Sequence, residues 1–368
     1  MTLMLPVVLV TAFVCALGVT WQLSRPGAWL SPLDVPNDRS LHDTPTPRGG
    51  GLGLLAGFGL GLALVMAFGM LPADAMLSAL VVSMILIAGV SYADDRVHLG
   101  VGLRLSVQLL AAGLVVWWGE LAPSSLALPG LEIEVGELAG YLVAVLGVVW
   151  LTNLFNFMDG IDGLAGTMAF VGLGTLAWLA SPHNTGLMLL AGLLSVSAAG
   201  FLVWNAPPAR IFMGDVGAST LGFTAAVLIL WGDRTAVYPW WLGALVFGVF
   251  IADATVTLLR RALNRERVWR AHRTHFYQRL VTLGWSHGRA LGLNLGLMVG
   301  CSIAATLAQA SGTAVQWLLL LFVAIMLIGT MFWITVLERR RAAVVSATRS
   351  DAYNSNNQAT ARRSECDD

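Results

Sequence analysis

The sequence predicts an all-α polytopic integral membrane protein of about eleven transmembrane helices, with the N-terminus outside and the C-terminus cytoplasmic. Three observations predict it. The chain is 57% hydrophobic and only 11% charged, with a mean hydropathy of +0.75, a balance typical of polytopic membrane chains rather than soluble ones. About eleven apolar runs are long enough to cross a bilayer. The arginines between them fall almost entirely on alternate loops.

The runs lie at roughly 3–24, 51–71, 76–92, 102–119, 138–156, 163–181, 186–204, 217–231, 239–259, 290–309 and 315–337. The first has no basic leader and no small-residue cleavage site before Arg25, so it reads as a retained anchor entering from outside. The chain has no lysine, and of its 21 basic residues, all arginine, every one but Arg234 falls on the loops after odd-numbered spans, at the edge of such a loop (Arg104) or in the tail. The positive-inside rule makes that side cytoplasmic. The opposite loops are short and acidic, with Glu120, Glu132, Glu134, Glu137 and Asp233, and read as connectors. Residues 1–343 form one multi-helix transmembrane domain, and 344–368, rich in Ser, Asn, Thr and Arg, read as a disordered cytoplasmic tail. Cys15, Cys301 and Cys366 make neither a disulfide framework nor a zinc spacing. A net charge of zero gives no reason to expect a nucleic acid partner.

The concentrated polar stretches all fall on the cytoplasmic side. The fifth span ends in Asn153–Gly163, NLFNFMDGIDG, where Asn153, Asn156 and Asp159 follow one another at i, i+3 and share a helix face. Carboxylates at the edge of hydrocarbon require a cation, a strong donor or a water-filled cavity, so Asp159 and Asp162 are candidate site residues. A polar helix end capped by Gly160 and Gly163 is the plainer alternative. Asp94 and Asp95 follow the third span, and Asp215, in RIFMGDVG, follows the seventh. Five converging carboxylates repel one another unless a cation neutralises them, and oxygen donors at a wet site suit magnesium. Solvated helix ends and an N-cap are the structural alternatives for Asp94, Asp95 and Asp215.

The loop after the ninth span supplies the complement. Arg270, His272, Arg273, His275 and Arg279 fall within ten residues, and arginine binds an oxyanion with a planar fork. Positive-inside bias alone also accounts for a basic loop. In the first loop, Gly49, Gly50 and Gly51 after Arg48 suit either a phosphate approach or close helix packing. Asp34 and His42 are site residues or ordinary loop residues, and Phe212 is placed to stack on a planar base or to anchor at the interface. Together, acids for a divalent metal facing an arginine and histidine loop point to transfer of a phosphorylated group, one reactant being a lipid. A transporter of anionic sugars or lipids, or a non-catalytic lipid-binding scaffold, shares some of these features. The first, however, normally carries functional polarity on both sides.

The order NLFNFMDGIDGLAG, the Asp94–Asp95 pair, RIFMGDVG and a late histidine-bearing loop resembles the polyprenyl-phosphate N-acetylhexosamine-1-phosphate transferases, over roughly residues 30–340. The resemblance implies about eleven helices in a bacterial cytoplasmic membrane, with the active site facing the cytoplasm. It also implies a UDP-N-acetylhexosamine donor, an undecaprenyl phosphate acceptor, release of UMP, and Mg2+, with Mn2+ as the substitute. A homodimer is left open. By the same resemblance Asp215 is the metal ligand, assisted by Asn156 or a neighbouring carboxylate. Asp94 and Asp95 orient or deprotonate the lipid phosphate, and Arg104 contacts it. Asp162 and Phe212 hold uracil, His272 and His275 grip the diphosphate, and Asn153 and Asp159 belong to the same substrate cleft. One departure stands out. Many members carry His-x-His-His where this chain has His272-Arg273-Thr274-His275, so Arg273 or Arg270 stands in for the missing donor. The form resembles the branch that starts O-antigen or other surface polysaccharide units, with GlcNAc or a deoxy relative such as QuiNAc or FucNAc as the sugar.

Overall fold

The structure, a computed structural model, describes residues 4–36, 41, 43–181, 183–268 and 272–364, with side chains described to residue 343. It is a bundle of helices in which long apolar stretches satisfy their backbone groups internally, as a span in lipid must. In chain order these are α1 (Met4–Leu23), α2 (Gly50–Ala67), α3 (Ala75–Val97), α4 (Val101–Trp118), α5 (Glu137–Met158), α6 (Leu164–Ala180) and α7 (Thr185–Asn205). They are followed by α8 (Gly214–Arg234), α9 (Trp240–Val246), α10 (Gly248–Leu263), α11 (Phe276–Thr282), α12 (His287–Gln309) and α13 (Thr313–Ser364). Polar residues start several of them. Asp74 accepts the Leu77 N–H at 2.7 Å and Asn184 that of Leu187 at 3.0 Å, satisfying donors that the first turn leaves open.

Nine helices are long and apolar enough to cross a membrane among the described residues, and the bent pair α9–α10 brings the number to ten. The run expected at 163–181 is α6, an apolar helix of only 17 residues. The run expected as one span at 239–259 is broken, with α9 and α10 meeting at 82°. The break falls at Phe247–Gly248, where glycine follows a ring that packs edge-on against Phe155 at 5.7 Å, and glycine positions are among those where sharp kinks occur. α13 continues as helix to Ser364, because residues 344–364 contain neither Pro nor Gly to end it. Two small pairings interrupt the all-α pattern: β1 (Leu33–Asp34) with β2 (Thr46–Pro47), and the hairpin of β3 (Ser125–Leu128) with β4 (Leu131–Glu134).

At the centre is α8, with 89% of its spanning window buried. Its small residues allow backbones to come close. A methyl group on Gly222 would lie 2.5 Å from the Leu151 carbonyl oxygen of α5, and one on Gly51 of α2 would lie 2.4 Å from Gly217 Cα of α8. This close packing fixes the N-terminus of α8 against the ends of α2, α3 and α5, so that the polar stretches of the first loop, α3, α5 and α8 meet at one end of the bundle.

Candidate active site

The meeting point is built on the junction of β2 with α2 and the turn before α8. Phe212 donates its N–H to the Pro47 carbonyl at 2.8 Å, and Gly50 and Gly51 donate theirs to Phe212 and Met213 at 2.9 and 2.8 Å. The glycines therefore pack against α8, and those two N–H groups are not free to cradle a phosphate. This interlock places Arg48 beside the acids. Its Nε lies 3.1 Å from Asp95 Oδ1 and its terminal nitrogen pairs with Asp215 Oδ1.

Charges alternate from there. Asp95 accepts the backbone N–H groups of Asp215 and Val216 at 3.1 and 3.2 Å, capping the start of α8. Asp94 accepts the Leu99 N–H at 2.7 Å and pairs with Arg104 at 2.6 Å, and Arg104 also lies 3.5 Å from Asp215 Oδ2. Burial alone would lower the pKa of Arg48, but the Asp215 and Asp95 carboxylates outweigh it and hold the guanidinium well above its ordinary range.

Arg48 and Arg104 form one wall of a cavity of about 1380 Å³, larger than a typical small-molecule pocket and partly polar. Asn153, Asn156, Asp159 and Asp162 line it from the end of α5, and Phe212, His272 and His275 line it from the later loops. The lining also includes apolar side chains, among them Leu105, Leu146 and Trp150 of α4 and α5 and Leu258 and Leu259 of α10.

Several side chains are fixed in place. Asn153 donates to Gln108 Oε1 at 2.7 Å. Asp162 accepts the Ala209 N–H at 3.0 Å and pairs with His287 Nδ1 at 3.1 Å. Asp159 and Asn156 have no side-chain hydrogen bond to a described residue. Burial pushes the Asp159 carboxyl up to about 7 against the pull of Arg48, with Asp215, Asp95 and Asp162 pushing the same way. Across the cavity, His275 is buried and its Nδ1 lies 3.2 Å from Asp253, while His272 stacks on it at 4.9 Å.

Among the described residues no three His, Cys, Asp or Glu side chains converge as a metal cage. The available donors are hard oxygens, from Asp159, Asn156 and, beyond the arginines, Asp215. That set fits magnesium, which takes one or two carboxylates and fills its other positions with water and phosphate, and does not suit zinc.

Comparison with known proteins bears on this geometry. Residues 77–233, which carry Asp94 through Asp215, match Glycosyl transferase family 4. The chain is 32% identical over 286 residues, covering 76% of itself and 78% of the relative, to a probable undecaprenyl-phosphate N-acetylglucosaminyl 1-phosphate transferase of Bacillus subtilis. It belongs to this family of polyprenyl-phosphate hexosamine-1-phosphate transferases. It is also similar to a decaprenyl-phosphate N-acetylglucosaminephosphotransferase of Mycobacterium leprae, at 30% identity over 74% of this chain and 75% of that one. A phospho-N-acetylmuramoyl-pentapeptide-transferase of Chloroflexus aurantiacus matches at 38%, but over only 35% of this chain and 34% of its own.

Of the candidate site residues named from the sequence, nine line one cavity: Asp34, Arg104, Asn153, Asn156, Asp159, Asp162, Phe212, His272 and His275. Asp94, Asp95 and Asp215 connect to that cavity through Arg48 and Arg104. Arg273 is exposed and outside the lining, and Arg270 and His42 lie outside the described residues. Arg279 does not face an oxyanion site. Its guanidinium binds Glu338 and Thr335 of α13, because a buried arginine is stabilised by the nearest carboxylate. Arg48, Gln108, Asp253 and His287 were not singled out from the sequence as site residues. A signal existed for Asp253, an ionisable residue inside an apolar run.

Proposed function

We propose that this protein transfers a sugar-1-phosphate from a UDP-N-acetylhexosamine to undecaprenyl phosphate and releases UMP, as the first membrane step of a surface polysaccharide such as O-antigen. The observation that carries the reading is the alternating series Asp94–Arg104–Asp215–Arg48–Asp95 at the wall of a cavity lined by both polar and apolar side chains. Its arginines suit phosphate, and its apolar lining suits a prenyl chain. The long match to N-acetylglucosaminyl-phosphate transferases, against the short match to a muramoyl-pentapeptide transferase, supports a simple N-acetylated amino sugar. The arginine distribution supports a site facing the cytoplasm of a bacterial inner membrane.

In this mechanism the lipid phosphate docks on Arg104, which releases Asp94 to position or deprotonate it. A phosphate oxygen attacks the sugar-proximal phosphorus, a new P–O bond forms, and the bond to the bridging oxygen breaks so that UMP leaves with that oxygen. Arg48 and the histidines steady the diphosphate, and Asp162 and Phe212 hold uracil. Magnesium, held by Asp215 with Asn156 or Asp159, would neutralise charge on the diphosphate oxygens. The test is UMP release by purified protein with undecaprenyl phosphate, Mg2+ and a panel of UDP-N-acetylhexosamines. Release that requires lipid and metal supports the reading. Folded protein that releases no UMP with any sugar rejects it.

A further inference from the structure

The two cavity histidines are held in opposite senses. His275 Nδ1 faces Asp253 Oδ1 at 3.2 Å, and the same carboxylate accepts the Phe276 N–H at 2.9 Å, the Tyr277 N–H at 3.1 Å and the Thr257 hydroxyl at 3.2 Å. A carboxylate paired with imidazole accepts, so His275 carries its hydrogen on Nδ1 and leaves Nε2 for a ligand. His272 is reversed. The Thr274 N–H approaches its Nδ1 at 3.4 Å and the Thr274 hydroxyl lies 3.0 Å away. A backbone N–H can only donate, so this Nδ1 is bare and the neutral ring carries its hydrogen on Nε2.

The rings stack 4.9 Å apart with 30° between their planes, a distance at which two imidazolium charges repel. Burial, then His275 and Arg261, bring His272 down to about 4, so it is neutral near pH 7. Asp253, buried inside α10, stands directly behind the second ring.

The geometry points to Asp253 and Thr274 as positioning residues that lock His275 and His272 in opposite tautomers. The pair then presents a nucleoside diphosphate with one fixed neutral donor, His272 Nε2–H, and one carboxylate-backed nitrogen, His275 Nε2. This rests on the transferase reading for its ligand, but the tautomers belong to the protein alone. Thr274 therefore substitutes for a histidine by adding a hydrogen bond without adding a third titrating ring.

Nitrogen-15 spectra of histidine-labelled protein in detergent test this, the six histidines being assigned by single His→Gln variants. The expected spectrum has an unprotonated Nδ1 at His272 and a protonated Nδ1 at His275, and UDP-GlcNAc shifts the Nε2 signals of both. Thr274→Val removes the closer hydroxyl contact and leaves only the long backbone N–H at 3.4 Å, so it should loosen the His272 tautomer, shift its Nδ1 signal and raise the KM for UDP-sugar about tenfold with a smaller change in kcat, and Thr274→Ser should restore both. Asp253→Asn should weaken the ligand-induced shift of His275. A wild-type His272 protonated on Nδ1, Thr274→Val spectra identical to wild type, or Nε2 signals unmoved by UDP-GlcNAc would each overturn the proposal. If no UMP is released while UDP-GlcNAc moves both signals, the transferase reading falls and the positioning of the histidines stands.

Discussion

Asp95 caps the helix that carries Asp215, its Oδ1 accepting the Asp215 N–H at 3.1 Å. Neighbouring acids that look equivalent in sequence thus have different surroundings. Asp95 is tied to two backbone donors and Arg48, whereas Asp94 has one backbone donor and the guanidinium of Arg104. Asp95→Ala should lower stability by about 3 kcal/mol and reduce activity with it, since it uncaps α8 and takes from Arg48 one of its two carboxylates. Asp94→Asn should abolish UMP release with an almost unchanged melting temperature. Thermal unfolding in detergent alongside the UMP assay separates the two, and equal melting losses would reject the distinction.

Arg48 bridges two carboxylates from two different nitrogens, which a single ammonium cannot reproduce. Arg48→Lys should keep the fold and cut kcat about 100-fold. A variant with wild-type kcat would show that the fork geometry is irrelevant to turnover.

The α2–α8 contact predicts a size limit. Gly51→Ala and Gly217→Ala each place a methyl group where backbone or a packed side chain already stands, and should cost about 2 kcal/mol. Gly59→Ala, on the same helix with open space around it, should be close to neutral. Equal melting temperatures for all three would argue against the tight crossing.

His272 predicts a pH dependence. Its pKa is about 4 in the fold against an ordinary 6.5, so between those values the unfolded chain binds a proton that the folded protein refuses. Unfolding is then favoured as pH falls through that window. The stability of wild type relative to His272→Gln should decline from pH 7 to pH 5. A constant difference would mean that the ring titrates normally.

Metal binding is checked without turnover. Mg2+ should raise the melting temperature of the wild type, because a ligand that binds only the native state stabilises it, and EDTA should reverse the shift and stop UMP release. Asp215→Asn should melt at the same temperature with or without Mg2+. A full Mg2+ shift in that variant would move the metal elsewhere.

Composition and hydrophobic runs were enough to read a polytopic helical protein, because a lipid solvent demands long uninterrupted apolar segments and the sequence carries that demand locally. The same logic singled out Asp94, Asp159, Asp162 and Asp215 as candidates, since ionisable groups at the ends of such runs are costly wherever they lack a purpose, and His275 was singled out from its arginine-rich loop. What a residue faces is a different matter, settled by packing between segments far apart in the chain. Arg48 is 167 positions from its partner Asp215, and Asp253 is 22 from His275. Gly50 and Gly51 lock α2 to α8, and Arg279 turns to Glu338. The bend at Phe247 divides what hydropathy shows as one span. Apolar character along a run sets which segments enter the membrane, whereas side-chain direction depends on helix crossings, and only the tertiary structure could decide those.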